Sequence, residues 1–152
     1  MAKSVKVPKK TRWFFYAVLA TSFISGLTFF ILNRWVTVEG EFGPEKHPWQ
    51  MNVLRLHGAG AFLMMVFFGY FLASHVQVSW PVKPMRPLGI ALTAAVSLMI
   101  LSAYSLYYLG DMDVRAVVAY VHTGLGVTLP FFLIAHLVQG SRRRNSRKVK
   151  HA

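Results

Sequence analysis

The sequence predicts an all-α fold: an integral membrane four-helix bundle with both termini in the cytoplasm. Three observations lead there. Four apolar stretches are each close to the roughly 20 residues that cross a bilayer as a helix. Lys and Arg alternate along the chain with acidic residues, connection by connection, as membrane topology requires. The composition, 55% hydrophobic with a mean hydropathy of +0.43, is too apolar for a water-soluble domain.

The chain opens on a basic segment, MAKSVKVPKKTR. The apolar run that follows, Trp13 to Leu32, is longer than the core of a secretory signal and lacks a convincing small-x-small cleavage site. It is read as a retained first span over 13–32. Trp13 and Trp35 flank it as interfacial aromatics. Ser22 and Gly26, four apart, form a small-residue stripe for close helix packing. The first connection holds Glu39, Glu41 and Glu45, with Gly40, Gly43, Pro44 and Pro48 as turn signals. A second span covers about 56–78. Three prolines in SWPVKPMRP then break the helix. The third span covers about 88–109. Its Ser97, Ser102 and Ser105 can bond back to their own helix, and Tyr104, Tyr107 and Tyr108 gather near its end. After the short GDMDVR connection the fourth span covers about 116–138, with Pro130 expected to kink it. A basic tail, 140–152, ends this single membrane domain of 1–152.

Orientation follows from charge. The N-terminal segment, the second connection and the tail are basic and hold no acidic residue. The first and third connections hold all five. Positive segments stay in the cytoplasm. The net charge of +12 is therefore a topology signal, not a nucleic-acid face. With no cysteine, disulfides, iron–sulfur clusters, covalent CxxCH haem attachment and Cys-ligated zinc are excluded.

Four histidines lie inside spans, where an imidazole is costly unless paired, hydrogen-bonded or ligated. His57 and His75 bracket the second span; His122 and His136 bracket the fourth. At 100° per residue, 18 positions make five whole turns of a regular helix, and 14 positions fall about 40° short of four. Each pair thus shares one side of its helix. The second and fourth spans run the same way, which sets His57 level with His122 near the outer surface and His75 level with His136 near the cytoplasmic one. Two imidazoles facing each other across a flat cofactor form the bis-His haem arrangement. Gly60 and Gly126 follow the outer histidines by about one turn, where a ring lying on the helix needs a missing side chain. Propionates would want cations: Arg55, Lys46 and Arg115 outside, Lys83, Arg86 and Arg142 inside.

These features, LHGAGAF…ASH in the second span and VHTGLG…IAH in the fourth, resemble the small di-haem b-type membrane cytochromes. That group includes the cytochrome b subunits of hydrogenases and formate dehydrogenases and the bacterial cytochrome b561 proteins. The resemblance implies two b-type haems held by His57, His75, His122 and His136, and a quinone as a further cofactor. It implies a place in the bacterial inner membrane within a larger respiratory oxidoreductase. The partners would be periplasmic or membrane redox subunits: a cytochrome c, a dehydrogenase or a hydrogenase-type module. Respiratory relatives space both pairs at 14. Here the first pair is spaced at 18, a difference in rise of about 6 Å that falls on the inner pair. Two other classes compete: a transporter or metal-binding protein using intramembrane histidines, and a haem-free structural anchor. Neither catalytic pair nor in-span carboxylate accompanies the histidines, so the chain is read as an electron-transfer subunit.

Overall fold

A computed structural model describes residues 7–80 and 86–149. The element order is α1 (Lys9–Trp35), β1 (Thr37–Gly40), β2 (Gly43–Lys46), α2 (Gln50–Phe71), a π turn (Leu72–Val76), α3 (Gln77–Ser79), α4 (Arg86–Tyr108) and α5 (Met112–Val149). Four helical segments are long and apolar enough to cross a membrane: Lys9–Trp35, Gln50–Val76, Arg86–Tyr108 and Met112–Arg143. The fold is all-α apart from one small hairpin, and the chain is a multi-pass membrane protein in contact with the lipid bilayer.

The helices run past the apolar stretches that announced them. α1 starts at Lys9, directly after Pro8, and takes in Lys10 and Arg12; Lys and Arg are good helix formers. α5 continues through Gly140 into the basic tail as far as Val149. The expected end near 138 rested on polarity, but Arg and Lys continue a helix as readily as they leave a membrane. α5 also passes through Pro130 without interruption. The proline-rich segment at 81–85, with Lys83, lies outside the described residues, as do 1–6 and 150–152.

The chain divides between Ala73 and Ser74 into two compact units. In the first, α1 packs on α2. Val18 and Ser25 of α1 and Gly60 and Phe67 of α2 are its buried residues. Small side chains bring the helices close. A Cβ at Gly26 would lie 2.7 Å from His57 Cε1, and one at Gly60 would strike Ser22 Oγ. An aromatic cluster closes one end, with Phe15 edge-on to both Phe67 and Phe71 and Phe14 tilted on Phe67.

The connection between α1 and α2, expected only to turn, forms an antiparallel hairpin with Thr37 opposite Lys46 and Gly40 opposite Gly43. Gly43 has φ +117°, a conformation that favours glycine. Pro44 is tolerated because a two-stranded hairpin is all edge. The hairpin is tied to the end of α1: Lys46 Nζ donates to Asn33 O at 2.6 Å, and Gln50 Nε2 donates to Asn33 Oδ1 at 3.1 Å. Helix C-termini leave carbonyls that need such donors.

In the second unit, α4 packs on α5. Ala95 and Ser102 and Leu129 are buried there. Asp111 starts α5 by accepting from the backbone N–H groups of Asp113 and Val114 at 3.0 and 2.9 Å, an N-cap that satisfies orphan donors. Arg86 Nε donates to Trp80 O, and its guanidinium lies 5.2 Å from the Trp80 ring centroid.

Replacing Gly26 with Val should destabilise the α1–α2 pair by about 1–3 kcal/mol through overpacking against His57. Thermal unfolding in detergent should show the lower midpoint. Gly69→Ala, at a position where a Cβ meets nothing within 4 Å of the described residues, should leave the midpoint unchanged or slightly raised.

Candidate functional site

All four intramembrane histidines are half-buried, and the two near the start of their helices are held in the same way. His122 Nδ1 lies 2.9 Å from Ser102 Oγ, while that hydroxyl donates to Met99 O at 3.0 Å. A serine hydroxyl has one proton. With it committed to Met99 O, Ser102 accepts, so His122 Nδ1 carries the hydrogen and Nε2 carries the lone pair. His57 Nδ1 lies 2.9 Å from Ser22 O. A carbonyl only accepts, so Nδ1 again carries the hydrogen. Ser25 Oγ is a second, longer neighbour at 3.4 Å, and its own proton is donated to Thr21 O at 2.6 Å.

Each helix pair therefore presents one imidazole as the Nδ1–H tautomer. Among the described residues, the serines that surround these rings are also the buried polar side chains: Ser25 is 3% exposed and Ser102 9%. Histidines that bind a metal through one nitrogen characteristically donate the other N–H to a protein acceptor, which fixes the tautomer and raises basicity. Both rings meet that requirement.

His75 and His136 belong to the second unit and lie together. Their ring centroids are 6.2 Å apart, with planes at 86°. His75 sits in the π turn Leu72–Val76. A π turn carries an extra residue relative to the α-helix and is frequent at functional sites. The regular five-turn helix assumed for the His57–His75 spacing is thus interrupted just where His75 projects. His136 Nδ1 is buried and has no hydrogen-bond partner among the described residues. Buried ring nitrogens are ordinarily satisfied.

The remaining candidate residues have other neighbours. Gly60 is filled against by Ser22, so its missing side chain serves the approach of α1 to α2 and leaves no cradle for a ring. Gly126 would place a Cβ 3.5 Å from Met99 Cε, an ordinary contact. Arg55 Nη1 donates to Asn52 Oδ1 at 3.2 Å, and Arg115 is exposed in the first turn of α5. Lys46 is engaged at the end of α1, and Arg86 at Trp80. Tyr104 and Tyr108 pack with centroids 4.7 Å apart. His47 accepts from Trp49 N at 3.2 Å in the connection before α2; His151 lies outside the described residues. No cluster of three or more His, Cys, Asp or Glu that could hold a metal ion occurs among the described residues.

Sequence reasoning missed Ser25 and read Ser102 only as bonding back to its own helix. It does so, and that bond is what turns its oxygen into an acceptor. The histidine partners are 32 and 20 positions away, so no local spacing reveals them. Comparison with protein-family models, with curated proteins and with solved structures finds no match to this chain.

If Ser102 sets the tautomer, ¹⁵N spectra of histidine-labelled protein should show His122 as Nδ1–H. Ser102→Ala should shift it toward Nε2–H and cost about 1 kcal/mol of stability. A wild-type His122 protonated on Nε2 would refute the assignment.

Proposed function

We propose that this chain is a di-haem cytochrome b subunit that carries electrons across a bacterial inner membrane, in which His75 and His136 would hold one haem and His57 and His122 would each offer a ligating nitrogen. The observation that carries the reading is the His75–His136 pair. The two rings, from different helices, lie with centroids 6.2 Å apart, so they are side by side where they would hold one iron between them.

Haem needs only two ligands from the protein, since the porphyrin supplies the other four. A protein zinc site needs three or four, and among the described residues no such cluster occurs.

When bound, haem supplies reversible one-electron redox chemistry. The chain's own residues do the rest. Ser102 and the Ser22 carbonyl hold His122 and His57 with Nε2 as the ligating nitrogen. Hydrogen-bond donation from Nδ1 increases the electron density of the imidazole and so helps set the potential. The apolar faces of the spans keep water from the ligands. The alternation of charge along the sequence supports cytoplasmic termini, with His75 and His136 toward that side in this reading. Electrons would be exchanged with a quinone or with redox subunits of a larger complex. The acidic hairpin, whose tip residue Phe42 is 92% exposed, is the natural contact for a partner outside.

The purified chain should show a b-type α-band on dithionite reduction, and a pyridine haemochrome assay should find two haems per chain. His136→Ala should leave one. A reduced spectrum without any b-type band would falsify the proposal.

A further inference from the structure

The second unit has a groove unrelated to the histidines. It runs between the start of α4 and the C-terminal part of the α5 span. Leu88 and Ala91 form one wall and Val138 the other, with Gln139, Arg142 and Arg143 at its polar end. Neither His75 nor His136 lines it. On α5 the centre of the lining residues is turned about 90° from His136, toward α4. Arg142, expected from the sequence to meet a haem propionate, therefore opens onto a different face.

We propose that this groove binds one anionic phospholipid, its acyl chain along the apolar wall and its phosphate between the guanidiniums of Arg142 and Arg143. Three features point to this ligand. The groove is apolar along its length and cationic at one end, which matches an amphiphile with a charged head. Both arginines are exposed and stand at the end of the apolar span of α5; guanidinium binds phosphate oxygens in a bidentate fork. Gln139 Oε1, which belongs to the lining, is buried and has no hydrogen-bond partner among the described residues. A head group with a hydroxyl, such as the glycerol of phosphatidylglycerol, supplies the donor that this oxygen lacks. A basic helix end alone would serve topology; the walled groove and the unpaired acceptor are what specify a bound lipid. Basic pockets between spans on the cytoplasmic side hold anionic head groups in this way.

The test is native mass spectrometry of the full-length chain released from nanodiscs of phosphatidylcholine with phosphatidylglycerol of the same acyl composition. One retained phosphatidylglycerol is expected, in preference to phosphatidylcholine and not displaced by inorganic phosphate. Arg142→Gln with Arg143→Gln should weaken retention about 30-fold, from about a factor of five per cationic side chain, with haem content unchanged. Ala91→Phe, which fills the groove and keeps both charges, should also abolish retention; it guards against a double variant that fails to fold. Equal retention of phosphatidylcholine would overturn the proposal. So would displacement by inorganic phosphate, retention by the Ala91→Phe protein, or a double variant that loses haem while keeping its lipid.

Discussion

An imidazole inside a bilayer has an N–H that must be given to something. The surrounding hydrocarbon accepts nothing, and water is absent. For His57 and His122 that constraint is met within each helix pair. His57 donates to the backbone of α1 beside Ser25, and His122 donates to Ser102 of α4. Much of the packing follows from these bonds. Gly26 has no side chain where the His57 ring lies, and Gly60 has none where Ser22 lies. Serine is small enough to be buried between helices and polar enough to accept. The result is two helix pairs, each with a polar contact among its buried residues and apolar surfaces elsewhere.

Burial inside the chain is otherwise slight. Few side chains are covered, and many large apolar ones remain exposed, including Ile24, Phe62, Val66, Leu101 and Phe131. In water such a surface would drive aggregation. In a membrane it is the solvent-matched surface, and there is no hydrophobic gain in hiding it. Close approach at small residues and hydrogen bonds between helices must then hold the pairs together. The aromatic cluster of Phe14, Phe15, Phe67 and Phe71 adds shape-specific contact at one end of the first pair.

Much of this was legible in the residues. Apolar length located all four spans, and the Ser22–Gly26 stripe marked the face of α1 that meets α2. Ends were harder. Polarity tells where a helix leaves lipid, but not where it stops, because Arg and Lys propagate helices; hence α5 reaching Val149. The hairpin at 37–46 hid behind its turn residues, since two short strands of mixed polarity carry little alternation. At the candidate site the histidines stood out by chemistry. Their serine partners did not, because a contact 32 or 20 positions away leaves no trace in local pattern. At Gly60, expected to make room for a flat ring, Ser22 of α1 lies close: a glycine shows that something comes close, not what.

The π turn at Leu72–Val76 has a consequence for how ligand spacing is counted. The number of residues between two ligands measures depth only along a regular helix. One inserted residue changes both the rise and the direction in which every later side chain leaves the axis. A rule requiring equal intervals on two helices would pass over this chain, even though His75 and His136 sit ring to ring. Two side chains meet when they share a position in space, and a helix can reach that position by more than one count.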